Sequence, residues 1–221
     1  MISLGNGMIG WTERYIPSGL AALIVSVMPV YIVMISYVSG ADRKKPNARI
    51  LAGLLLGTLG VILIFRDNVK DLANPGYFTG MIVAFIACFA WASGSVYAKY
   101  KPVRVSALTN AAIQMTGGGL TLVLAGFFLD DLSEFKTISS ESIWSLLYLI
   151  VVGSLLAYSC FVYALEKLPV GLVSIYAYIN PFIALLLGFF FLDEKLTWMT
   201  LLALSATLSG VFFINRGYRK P

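Results

Sequence analysis

Within its long apolar stretches the chain carries no charged side chain, and several of its hydrogen-bonding groups come in helical pairs. Asn110 and Gln114 stand four residues apart, as do Ser154 and Tyr158, and Tyr176 and Asn180. Residues i and i+4 share a helix face, so each pair aims two hydrogen-bonding groups in one direction. Trp91 is followed by Ser95 one turn on, and Asn6 lies near the N-terminus between Gly5 and Gly7. These amide, hydroxyl and indole groups donate and accept hydrogen bonds and offer aromatic faces, but at neutral pH they hold no charge. The sequence has no histidine, and no Asp, Glu, Lys or Arg falls inside the apolar stretches. A Ser–His pair, paired carboxylates or a metal-ligand motif within those stretches would signal an intramembrane enzyme, and none is there. What these side chains can do is bind an uncharged or zwitterionic solute reversibly. No enzyme activity, cofactor or metal is expected.

The candidate binding residues are therefore Asn6, Trp91, Gln114, Tyr158, Tyr176 and Asn180. A plainer role stands beside each. Ser, Asn and Gln in membrane helices also hydrogen-bond neighbouring helices, for about 0.6 to 2 kcal/mol each. Aromatic residues at helix ends anchor the chain at the membrane surface. Tyr100, Tyr148, Trp144, Trp198 and Tyr218 read as such anchors.

The elements that must hold these groups are seven charge-free runs, roughly 18–41, 50–65, 76–98, 105–129, 142–165, 168–192 and 196–215. A bilayer core about 30 Å thick needs about 20 mostly apolar residues per helix. The run at 50–65 is slightly short; the others suffice. Lipid cannot satisfy backbone polar groups, and continuously apolar runs favour helices over barrel strands. Hydrophobic residues make up 59% and charged residues 12%, a balance foreign to soluble domains. The fold class is an all-α polytopic membrane protein. Cys88 and Cys160 fall in mid-run and act as small apolar residues. No signal-peptide pattern precedes the first run.

Alternate connectors divide the charge. Arg43, Lys44, Lys45, Arg49, Lys99, Lys101, Arg104, Lys167, Arg216, Arg219 and Lys220 fall on one side, and only Arg14, Arg66, Lys70, Lys136 and Lys195 on the other. The basic-rich side is expected to be cytoplasmic, with the C-terminus there and the acidic connector Asp130–Glu141 outside. Basic residues dispersed in this way mark topology rather than nucleic-acid binding.

The chain also repeats itself. Glu13-Arg14-Tyr15-Ile16-Pro17-Ser18-Gly19-Leu20 resembles Glu166-Lys167-Leu168-Pro169-Val170-Gly171-Leu172. Pro29 and Pro181 follow at equal distances, each opening a helix half that ends in a charged turn, Asp42-Arg43-Lys44 or Asp193-Glu194-Lys195. Each turn feeds a small-residue helix, Gly53 to Gly60 or Ala203 to Gly210, whose glycines let helices approach closely. The Gly117–Gly119 triplet reads as close packing or as a bending point. By the charge count, Pro17 is outside and Pro169 inside, so the two copies are inverted, an arrangement typical of secondary transporters. Residues 76–215 form a complete five-helix copy, 1–66 a truncated one, and 216–221 a cytoplasmic tail. The expectation is a ten-helix plan shortened to about seven full transmembrane helices plus an N-terminal remnant. It follows either from a misplaced start codon, or from a truncated gene product or a fragment.

At several points the sequence resembles the EamA family of the drug/metabolite transporter superfamily. The likeness is carried by Gly5-Asn6-Gly7, Trp11-Thr12-Glu13, Pro17-Ser18-Gly19-Leu20-Ala21-Ala22-Leu23, Pro29, Phe89-Ala90-Trp91-Ala92, Gly153-Ser154-Leu155-Leu156-Ala157-Tyr158, Asn180-Pro181 and Leu192-Asp193-Glu194-Lys195-Leu196. The family's usual Gly-Glu turn reads here Gly40-Ala41-Asp42. The resemblance implies an exporter or importer of small metabolites in the cell (plasma or inner) membrane. With no cationic side chain at depth, neutral or zwitterionic metabolites such as amino acids fit better than sugar phosphates, as do lipophilic compounds. Without an acidic group at depth, the protein is expected to work as a facilitator or exchanger, or to couple through Glu13 or Glu166. The expected partners are the lipid bilayer and a small-molecule metabolite, with a homodimer left open. The competing reading is a transport-inactive membrane remnant, or a subunit that needs another chain.

Overall fold

The computed structural model describes residues 1–41, 46–101, 103–129, 139–191 and 198–218, and these contain helices and no strand. The charged turns Asp42-Arg43-Lys44 and Asp193-Glu194-Lys195, residues 130–138 of the acidic connector, and Arg219 and Lys220 lie outside the described residues. Helix α1 is π-wound over Ile2–Asn6 and α-helical over Gly7–Thr12. Helix α2 comprises Ser18–Val25 and Met28–Val38, and α3 is Ala48–Ile64. Short turns lead into α4, Phe78–Tyr100, and then α5, Ala107–Leu129. Helix α6 runs through Ser140–Tyr148, a π segment Leu149–Leu156, and Ala157–Lys167. Helix α7 comprises Val170–Val173 and Tyr176–Phe191, and α8 is Trp198–Tyr218.

Four segments are long and apolar enough to cross a membrane: Gly19–Val38, Pro75–Tyr100, Ala107–Phe128 and Ser140–Lys167. Ala48–Ile64 and Val170–Ile183 are shorter apolar helices. The helix boundaries follow local chemistry. Asn47 caps α3, its side chain accepting from the Ile50 N–H at 3.0 Å, and Ser139 caps α6 through the Ser142 N–H at 3.2 Å. Pro17 (φ −58°, ψ 143°) and Pro169 (φ −57°, ψ 137°) hold nearly the same extended geometry at the starts of α2 and α7. The two inner prolines differ. Pro29 sits in the first turn of the second half of α2, as expected. Pro181 lies inside Tyr176–Phe191, and α7 is interrupted earlier, at Ser174–Ile175. There the Ser174 hydroxyl donates to the Gly171 carbonyl at 2.8 Å, taking up an acceptor at the break.

The core joins Leu20, Ile24 and Val33 of α2, Leu54 and Val61 of α3, Met81, Ala84 and Cys88 of α4, Tyr178 of α7 and Ile214 of α8. Its closest seam is between α3 and α8. A Cβ on Gly53 would lie 2.6 Å from the Gly210 carbonyl oxygen, and one on Gly210 would lie 2.7 Å from that of Gly53. Gly60 likewise faces the Ala203 carbonyl and Thr207, while Gly210 also faces Gly57. These contacts exchange with one another when Gly60 is matched to Gly210, Gly57 to Thr207 and Gly53 to Ala203, the match that the sequence alignment gives. The Asn47 side chain donates to the Gly217 carbonyl at 2.9 Å, so α3 starts where α8 ends and the pair is antiparallel.

The same end collects other termini. Gly171, at the start of α7, faces Tyr218. Lys99, at the end of α4, donates to the Glu166 carbonyl at the end of α6, at 3.0 Å. Arg49, Lys99, Lys101, Arg104, Lys167 and Arg216 therefore share one end of the bundle with Glu166. Glu13, Arg14, Arg66, Lys70, Asp71 and Glu141 sit at the ends of elements that point the other way. Outer faces of α5 and α6 are apolar and exposed, among them Leu108, Ile113, Leu120, Leu146 and Leu155.

Candidate functional site: an uncharged aromatic cluster between α4, α6 and α7

Trp91 stands at the middle of the site. Helix α1 packs against one side of it, where a Cβ on Gly5 would come within 2.7 Å of Trp91 Cε3, so only glycine lets the two helices approach this far. On α6, Tyr158 and Phe161 meet the indole, with ring centroids 6.2 Å and 5.5 Å away. Phe161 also touches Tyr158 at 5.9 Å and Tyr176 of α7 at 5.6 Å, the latter nearly edge to face. That geometry sets the positive edge of one ring on the negative face of the other.

Hydrogen bonds extend the cluster. The Tyr158 hydroxyl donates to Gln114 Oε1 at 2.8 Å, and Gln114 Nε2 donates to Asn110 Oδ1 at 3.0 Å. This chain ties α6 to α5. The Tyr176 hydroxyl points at the Met28 sulfur, 3.2 Å away. Ser95 donates to the Trp91 carbonyl at 2.8 Å, one turn back. Trp91 Nε1 is buried and completes no hydrogen bond of normal geometry. Every side chain in this set is uncharged at neutral pH. Groups of this kind stack and hydrogen-bond, and none of them offers a counter-ion to an anion.

Of the residues singled out in the sequence, Trp91, Gln114, Tyr158 and Tyr176 come together here. Asn6 and Asn180 are exposed and stand apart from the hydrogen-bonded set. Phe161, which bridges the three other rings, is not among the candidates. Its signal is present in the sequence, because it lies three residues after Tyr158 and so shares that helix face. Met28 gives none, since a thioether is an ordinary filler of apolar helices. Among the expected anchors, Trp144, Tyr148 and Trp198 are exposed, whereas Tyr218 is half-buried and packs on the core.

Long apolar helices that share a half-buried polar and aromatic cluster define a multi-pass membrane protein. The comparisons with known proteins sharpen this class. The profile of the EamA-like transporter family matches residues 78–216, and the chain belongs to that family. It is 28% identical to the protein named uncharacterized inner membrane transporter YedA of Escherichia coli K12, over 98% of this chain and 68% of that one. It is 29% identical to protein PecM of Dickeya dadantii, over 94% of this chain and 65% of that one. With the uncharacterized transporter YvbV of Bacillus subtilis it shares 27% identity, over 97% and 68% of the two chains. A solved structure titled only as a crystal structure of protein superposes with a TM-score of 0.79 at 16% identity, covering all of this chain and 76% of that one. At that identity the match speaks for the fold alone. The chain is thus a membrane transporter by family.

Proposed function

We propose that this protein carries small neutral or zwitterionic metabolites, such as amino acids, or lipophilic compounds across the membrane by alternating access. The solute would occupy the space between two inverted repeats, residues 1–66 and 76–215, next to Trp91, Gln114, Tyr158 and Tyr176, and would meet Asn6 and Asn180 at its edge. The observation that carries this reading is the self-exchanging seam of α3 and α8. Two antiparallel helices whose contacts map onto themselves are related by a twofold axis perpendicular to them, which in a membrane lies in its plane. This is the symmetry of inverted-repeat carriers, whose sites lie near the midplane between the repeats. The lack of charge in the aromatic cluster supports the choice of solute, and the relatives' names favour transport over an inactive remnant.

The test is uptake into liposomes that hold the purified chain, using labelled neutral amino acids, an aromatic amine and a sugar phosphate. Saturable uptake of a neutral or zwitterionic solute, weakened by Trp91→Ala, is expected. Preferential uptake of the sugar phosphate, or uptake indifferent to Trp91→Ala, would overturn the proposal.

A further inference from the structure

The seam between α3 and α8 is symmetric, but the contact beside it is not. Tyr178 of α7 is fully buried and lies on Gly57 of α3, where a Cβ would come within 2.6 Å of the tyrosine ring. Its hydroxyl lies 3.1 Å from Thr58 Oγ1 and donates to the Leu54 carbonyl at 3.3 Å. Thr58 and Leu54 are one turn apart on α3, so the phenol is clasped by a single helix face. The contact joins the second copy of the sequence to the first.

The alignment of the copies gives this clasp no counterpart. Ser26 stands at the place of Tyr178, Thr207 at that of Gly57, Leu208 at that of Thr58 and Leu204 at that of Leu54. Ser26 turns its hydroxyl back to the Leu23 carbonyl of its own helix, at 2.6 Å. Leu208 has no hydroxyl to offer. Thr207 carries the side chain that Gly57 lacks, so the space that admits the tyrosine ring on α3 is filled on α8.

In a carrier built from inverted repeats, the two access states arise when the repeats exchange roles. Contacts that map onto themselves, like those of α3 and α8, can persist in both states. A contact with no counterpart stabilises only one of them. We infer that Tyr178 is a positioning residue for transport: its clasp on Thr58 and Leu54 favours the access state in which α7 packs on α3 in this way over the opposite one. This rests on the inverted-repeat reading of the proposed function. Tyr178 touches no solute and acts by biasing the equilibrium of α7 against α3.

The experiment replaces Cys88 and Cys160 with Ala and uses Asn180→Cys, on the exposed part of α7, as reporter. A membrane-impermeant maleimide is added to sealed vesicles from each side in turn, and the ratio of the two labelling rates is read. Tyr178→Phe removes both hydrogen bonds and is expected to change this ratio roughly two- to tenfold, the range that one net hydrogen bond supports. Thr58→Val should shift it in the same direction by no more. The double variant should match Tyr178→Phe alone, because both changes remove the same clasp. Looser packing without a change of state would raise labelling from both sides equally and leave the ratio fixed. That result, or fully additive shifts, would overturn the inference. If Tyr178→Phe does not fold, Thr58→Val alone carries the test, and an unchanged ratio is again fatal. A second reporter, Lys101→Cys, checks the frame. If it labels from the side opposite to a C-terminal tag, the inverted-repeat reading has failed, and not merely the role of Tyr178.

Discussion

At the residue scale, Tyr158 is where the candidate site is most open to test. Its hydroxyl is committed to Gln114, and its ring lies against Trp91 and Phe161. Tyr158→Phe keeps the ring and removes the donor, leaving Gln114 bonded to Asn110 at its other end. The loss should cost about 0.5–1.5 kcal/mol of stability, read as a modest fall in the melting temperature in detergent. If the solute uses the same groups on binding, its KM should rise with kcat little changed, the sign of lost uniform binding. The sequence discloses much at this scale. Asn110, Gln114 and Tyr158 stand out because polar groups in apolar runs need partners. Phe161 can be read only as sharing the face of Tyr158, and Tyr178 not even as that, because an aromatic residue at helical spacing looks the same whether it faces lipid, core or solute. Which of these holds depends on a neighbouring helix far away in the chain, as with Tyr178 and Thr58.

At the element scale, the glycines separate into those that are packed and those that are not. Gly210 meets Gly57 N at 2.5 Å and Gly53 O at 2.7 Å for an added Cβ, and both are backbone atoms that cannot turn aside. Gly210→Val should therefore force α3 and α8 apart and cost about 1–3 kcal/mol, the usual range for overpacking. A thermal melt in detergent checks it. Gly117 offers the contrast, since nothing lies within 4 Å of its added Cβ. Gly117→Ala should leave the fold intact or stabilise α5 by about 0.5–1 kcal/mol, through helix propensity alone. A clear loss of melting temperature on Gly117→Ala would contradict this account. Sequence spacing points to small-residue faces on both α3 and α8, but not to the fact that they meet each other. In the triplet, Gly118 packs against Ile2 at 2.7 Å, so close approach accounts for that glycine. The sequence also sets the break in α7 too late, because Pro181 draws it away from Ser174.

At the scale of the whole molecule, the arrangement of charge and the arrangement of helices can be compared independently. The division of basic residues comes from counting connectors along the sequence. The grouping of helix ends comes from contacts: Asn47 with Gly217, Gly171 with Tyr218, and Lys99 with Glu166. Both put Arg49, Lys99, Lys101, Arg104, Lys167 and Arg216 together. Moving such residues across a membrane is costly, and basic connectors are retained on the cytoplasmic side. The chain should therefore insert with the α4–α5 connector and its C-terminus in the cytoplasm, and Glu141 outside. Single cysteines in place of Lys101 and Glu141, in the Cys88→Ala, Cys160→Ala background, give the measurement. In intact cells an impermeant maleimide should label the cysteine at position 141 and spare that at 101 until the membrane is opened. A C-terminal tag should become accessible together with position 101. Labelling of position 101 from outside while the tag stays protected would place an odd number of crossings between them, which four helices, α5 to α8, cannot supply.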